Sequence, residues 1–320
     1  MELHVVHDTV YDYSAPVSLA HHLAHLQPLQ DAAQQLLSFE LEVQPPAGQD
    51  RESLDAMGNA QRHFSLAQPH RRLHVRAGSR VRLAPRWQGL SPAASPPWTE
   101  VAQRLRYVGG ARYEPAVEFA MPSPYVPRLP ALRELGVGLF GPQQAVAEAA
   151  IALMERIHHG FDYESASTEI DTPLAQVLLQ KRGVCQDFAH LMAGVLRLHG
   201  LPARYVSGYL LTHAPEGGAA MQGADASHAW VQVWCPGTPG VGPDGWLDLD
   251  PTNNVVPGTG HIRVAVGRDF GDVTPLRGVI RGGGGHHTLS VGVSTRRVGL
   301  GIGAFATDPE RSLGTGLARA

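Results

Sequence analysis

Apolar residues along this chain repeat first every two positions, then at helical spacing, then every two again, and that order restricts the chain to α+β architectures. Leu73, Val75, Ala77, Ser79, Val81 and Leu83 fall on one face of an extended segment, while arginines and a histidine fall on the other, so one face is predicted to be packed and one wet. Shorter alternating runs at 4–13, 38–43 and 61–66 are separated by turn formers. Among these are the Pro-Pro-Ala-Gly stretch from Pro45 and a Met57-Gly58-Asn59 turn. Residues 1–90 therefore read as an N-terminal β domain.

Eight prolines between Gly89 and Pro130 predict a connector over 91–130 that lies on the surface. Pro142 suits the opening turn of a helix that continues through Ala145 to His158 and stops at Gly160. A second domain is expected over 131–300, with helices first and strands after. Its last part holds a strand region after Asn254, the tetraglycine Gly282 to Gly285, and an alternating strand from Thr288 to Val293. The final residues, 301–320, read as a weakly ordered tail.

With 43% hydrophobic and 17% charged residues, the 320-residue chain has the composition of a folded protein with a sizeable core. A formal charge of -3 supplies no basic field for a phosphate backbone, so nucleic acid is not expected as a partner. No apolar run approaches the roughly 20 residues of a membrane span, and the first residues lack the basic start and apolar block of a secretory signal. A cytoplasmic protein outside the membrane is the resulting expectation. The sequence says nothing of oligomeric state.

Two cysteines, Cys185 and Cys235, are too few for a disulfide framework or a paired zinc site, so one of them is a candidate reactive thiol. Cys185 precedes a helix whose apolar positions are Phe188, Leu191, Met192, Val195 and Leu196, ended by Gly200 with Pro202 beyond. A thiol at a helix N-terminus meets the positive end of the macrodipole and unpaired N–H groups. Those groups favour a thiolate and can also receive the oxyanion of a tetrahedral intermediate. Cys235 sits in a turn among Trp234, Pro236, Gly237 and Pro239, with no helix to follow, and is the weaker candidate.

His228 opens an alternating run in which His228, Trp230, Gln232 and Trp234 share a face. After a Gly/Pro-rich loop, Trp246, Asp248 and Asp250 share a face of a returning strand. With Gln232 opposite Trp246, His228 faces Asp250, and a carboxylate beside an imidazole fixes its tautomer and stabilises the imidazolium. A register shift of two would hand that role to Asp248. His190 follows Cys185 by five residues and is expected to pack or hydrogen-bond elsewhere. The remaining histidine pairs lack a His-Glu-x-x-His spacing, so neither a metal nor a cofactor is expected.

Taken together, Arg182-Gly-Val-Cys-Gln-Asp-Phe-Ala-His-Leu-Met, Leu201-Pro-Ala-Arg-Tyr-Val-Ser-Gly-Tyr, Ala226-Ser-His-Ala-Trp and Gly245-Trp-Leu-Asp-Leu-Asp-Pro-Thr-Asn-Asn resemble the bacterial transglutaminase-like family. Asp55-Ala-Met-Gly-Asn resembles the marker of its N-terminal domain. The resemblance implies a papain-like, transglutaminase-like core preceded by a β-sandwich-like domain, with a catalytic triad of Cys185, His228 and Asp250. Trp230 and Tyr209 are candidates for shaping the acyl pocket, or are ordinary core. The Gly267-Arg268-Asp269 segment is also family-like, without a chemical role to assign. No acidic loop supports calcium activation. The expected chemistry is attack on a peptide or side-chain amide through a thioester, resolved by water (peptidase or amidase) or by an amine (transglutaminase), with hydrolysis favoured. The substrate would be a protein or peptide. A non-catalytic protein-binding module is the alternative from a different class.

Overall fold

The computed structural model describes residues 1–110, 112–165, 167–211 and 227–299. In chain order its strands and helices begin with β1 (Glu2–Ala24), β2 (Gln34–Gln44), β3 (Gln49–Leu54), β4 (Ala60–Leu66), β5 (His70–Leu83), α1 (Trp98–Arg104), α2 (Arg133–Gly136), α3 (Val146–Gly160) and β6 (Asp162–Tyr163). They continue with α4 (Leu174–Gln180), β7 (Arg182–Gly183), α5 (Cys185–Leu198), β8 (Ala203–Leu210), β9 (His228–Trp234), β10 (Trp246–Leu249), β11 (His261–Gly267), α6 (Phe270–Val273), β12 (Leu276–Gly282) and β13 (His287–Arg297). The chain forms two units, one of Met1–Ala84, Tyr209–Ser227 and Pro275–Ala320, the other of Pro85–Gly208 and His228–Thr274, each within the described residues.

The first unit is a seven-stranded sheet ordered β2-β5-β1-β4-β3, with β12 and β13 paired to β1. Pro16, which has no N–H to give a ladder, sits where β1 changes partners. Residues before it pair with β5 and β13, and 20–24 pair with β4 and β12. Leu73, Val75, Val81 and Leu83 of β5 are all buried, as their alternation predicts. In the expected turn, Gly58 has φ +85°, and the Asp55 carboxylate accepts from the backbone N–H of Met57 and Asn59 at 2.8 Å each.

Two boundaries differ from the sequence reading. Residues 276–297, expected in the second domain, pair with β1 in the first unit. Residues 91–130 are more than a surface connector, because they carry α1 and bury Val101, Phe119 and Val126 in the second unit. The 301–320 tail lies outside the described residues.

The second unit has helices followed by a four-stranded sheet ordered β10-β9-β8-β11. Helix α5 packs on β9, with Phe188, Leu191, Met192, Val195 and Leu196 all buried, so its apolar stripe is what seats it. Arg197 anchors its last turn from within the core. Its guanidinium donates to Phe119 O (3.0 Å), Ser123 Oγ (3.1 Å), Ala203 O (2.8 Å) and Arg268 O. The Gly267-Arg268-Asp269 segment has a structural role. Asp269 caps α6 by accepting from Gly271 N (2.9 Å) and also takes Tyr125 N (2.9 Å), and Arg268 pairs with Asp272. Among the described residues no helix is long and apolar enough to cross a membrane.

Candidate active site

Cys185 is the first residue of α5 and is half-buried, with Val184 extended before it. Two short elements hold it there. Strand β7 pairs in parallel with β6, and Asp187 reaches back to accept from Val184 N at 2.9 Å, so the chain turns into the helix at the cysteine. Thr168 donates to the same Asp187 oxygen at 2.6 Å. A Cβ on Gly183 would lie 2.7 Å from that oxygen, which is why the position before Val184 has no side chain. Burial raises the Asp187 pKa, opposed by the hydrogen bonds from Thr168 and Val184.

His228 starts β9 and is 1% exposed; Asp250 follows β10 and is 0% exposed. Their Nε2 and Oδ2 atoms are 2.9 Å apart. The ladder register differs from the predicted one by two: Trp246 pairs with Trp234 and Asp248 with Gln232. His228 and Asp250 therefore meet diagonally, within the reach that long side chains have across an antiparallel pair. Asp248 does not take the third position. It accepts from Trp230 Nε1 at 2.9 Å and pairs with Arg263, which commits both of its oxygens to the sheet.

A third residue, absent from the sequence reading, joins this pair. His261 at the start of β11 brings Nε2 to 3.1 Å from Asp250 Oδ2, and Asn253 Nδ2 donates to the same oxygen at 2.8 Å. Asp250 Oδ1 accepts from Thr252 N (2.9 Å) and Asn253 N (3.2 Å). The Asp250 carboxylate is held below its usual range: burial alone would raise its pKa, but the His228 and His261 contacts outweigh that. Burial works to lower the His228 pKa, yet the Asp250 charge and hydrogen bond win and raise it, with the Cys185 thiol contributing in the same direction. His228 Nδ1 is buried with no hydrogen-bond partner.

Trp230 is fully buried, its ring 6.1 Å from that of His228 and 5.3 Å from that of His261, so it acts as the wall against which both imidazoles rest. Tyr209 is buried on β8. His190 packs away from the cysteine as expected: its Nε2 accepts from Phe270 N at 3.2 Å and its ring stacks on Tyr125. Burial pushes its pKa down to about 3. Cys235 is wholly buried, and that burial pushes its thiol far up.

Residues 3–82 match the family described as the bacterial transglutaminase-like N-terminal region, and residues 133–251 match the transglutaminase-like superfamily. A Mycobacterium tuberculosis protein described as uncharacterized is 39% identical over 278 residues, spanning 86% of each chain. A second from Mycobacterium leprae is 34% identical over 289 residues, or 88% of this chain and 94% of that one. A protein-glutamine gamma-glutamyltransferase of Pseudomonas aeruginosa is 35% identical over 120 residues, which is 36% of this chain but only 16% of that protein. Among solved structures, a candidate cysteine protease from Cytophaga hutchinsonii shares the fold, with a TM-score of 0.69 at 21% identity over 96% of this chain and 94% of that one. The chain belongs to the transglutaminase-like superfamily and carries the bacterial transglutaminase-like N-terminal region ahead of its core.

Proposed function

We propose that this chain is a thiol hydrolase acting on a peptide or side-chain amide, with Cys185 as nucleophile, His228 as proton carrier and Asp250 as its orienting anion. The observation that carries this reading is the buried His228–Asp250 contact of 2.9 Å, together with a half-exposed cysteine at the start of α5. The Cys185 sulfur adds to the amide carbonyl carbon with its proton already held on His228 Nδ1, as the raised His228 pKa favours. The C–N bond then breaks, the departing amine takes that proton, and a thioester remains on Cys185. Water adds next, again giving its proton to His228. The C–S bond breaks, the sulfur recovers the proton, and a carboxylic acid leaves. The first turn of α5, which begins at Cys185, has backbone N–H groups without helical partners, and these would receive the oxyanion.

Transamidation is the second reading, supported by the 120-residue match to the Pseudomonas aeruginosa glutamyltransferase. Its first half is identical; an amine such as a lysine side chain replaces water in the second. Glutamine-containing peptides are to be incubated with wild type and with Cys185→Ala, with and without a primary amine, and the products weighed by mass spectrometry. Acid or shortened peptide from wild type alone supports hydrolysis, and an amine adduct supports transamidation. Equal behaviour of both proteins toward every peptide overturns the enzymatic reading and favours a protein-binding module.

A further inference from the structure

We infer that His261 is a positioning residue that shares the Asp250 carboxylate with His228 and so holds the His228 ring in its working orientation. The inference rests on the catalytic reading above. An ionised carboxylate only accepts hydrogen bonds, so each ring nitrogen facing Asp250 Oδ2 carries a proton. His228 Nε2 at 2.9 Å and His261 Nε2 at 3.1 Å are therefore both donors, and both tautomers are fixed by one oxygen. With Asn253 Nδ2 and the two backbone N–H groups of Thr252 and Asn253, Asp250 accepts five hydrogen bonds. No rotation of the carboxylate keeps all five, so the oxygen that aims His228 is immobile.

His261 is retained there against a cost. It is 3% exposed and its Nδ1 is buried without a hydrogen-bond partner, a penalty that a phenylalanine or leucine at a packing position would not carry. The rest of β11 is apolar or paired, and the His261 ring is set edge-on to Trp230 at 84°, so its direction toward Asp250 is enforced from the side. Ligand atoms of His228, Asp250 and His261 all lie within 4.8 Å of one another. A cation placed among them would have to displace hydrogen bonds that already occupy both carboxylate oxygens. A carboxylate shared by two imidazoles accounts for the geometry without one.

The test compares wild type, His261→Phe and His261→Gln by the rate at which iodoacetamide alkylates Cys185, and by kcat and KM where a substrate is in hand. Loss of the donor slows alkylation about tenfold, the equivalent of one hydrogen bond to a charged group, and lowers kcat with little change in KM. His261→Gln, which keeps an N–H able to reach Asp250, recovers most of the rate. A merely structural role would instead lower the melting temperature of both variants and leave the alkylation rate of the folded fraction unchanged. Nitrogen-15 spectra of wild type need no variant to fold, and are expected to show His261 protonated on Nε2. Wild-type rates in both variants, no rescue by glutamine, or a His261 protonated only on Nδ1 would overturn the inference. Rapid alkylation in wild type that depends on His261, with no amide turned over, sinks the proposed function and leaves this inference standing.

Discussion

Gly208 fixes how closely the sheet can gather around the active-site strands, and Gly208→Ala is expected to break that spacing. The residue pairs with His228 across β8 and β9. A Cβ at Gly208 would lie 2.2 Å from Ile262 O on β11 and 2.3 Å from the Trp230 ring, where ordinary contact begins near 3.4 Å. Neither neighbour is a flexible tip. The backbone of β11 must move by about 1 Å, and the fully buried Trp230 must also turn and give up its 2.9 Å hydrogen bond to Asp248. Overpacking costs about 1–3 kcal/mol, and orphaning a buried N–H adds about the same, so roughly 2–6 kcal/mol is expected. Urea unfolding followed by tryptophan fluorescence measures it. Gly78→Ala in β5 is the control, since nothing lies within 4 Å of its added methyl, and it should stay within about 0.5 kcal/mol of wild type. A Gly208→Ala protein as stable as that control would refute the steric argument.

Asp187→Ala removes the acceptor of Val184 N and the partner of Thr168; a loss of about 1–2 kcal/mol in urea and slower alkylation of Cys185 are expected. Arg197→Met leaves four acceptors, three of them buried, without their donor and should cost about 3 kcal/mol or more, read as a drop in urea midpoint. Toward acid, His22 and His190 have native pKa values pushed by burial to about 4 and about 3. The unfolded chain therefore binds more protons than the native one, and stability should fall as pH drops from the ordinary histidine value. Toward alkali the sign reverses for His228. Its raised pKa contributes stability that is complete below 6.5 and lost as pH rises through about 10. His228→Phe should flatten that alkaline decline in the urea midpoint.

Much of the second unit was legible locally. The apolar stripe from Phe188 to Leu196 and the cysteine in front of it follow from helical spacing, and the alternation after His228 and before Asp250 identified two neighbouring strands. The register did not follow, because Trp234 and Gln232 are equally plausible partners for Trp246 by pattern, and only the loop conformation between them decides. His261 was invisible as a site residue: it begins an alternating strand eleven positions after Asp250, where a histidine differs in no way from an ordinary strand residue. The return of β12 and β13 to β1 depends on pairing across more than 250 residues, which no local period encodes; the tetraglycine falls at the junction of the two strands. Gly282, Gly283 and Gly284 all have positive φ, between +77° and +97°, which a side chain would resist.

The most direct test of the central claim is alkylation by iodoacetamide at neutral pH, with the modified cysteine mapped and the measurement repeated in His228→Ala. Cys185 is expected to label well ahead of the buried Cys235, and to slow markedly when His228 is removed. Equal Cys185 rates in wild type and His228→Ala would contradict the pairing of thiol and imidazole on which the catalytic account depends.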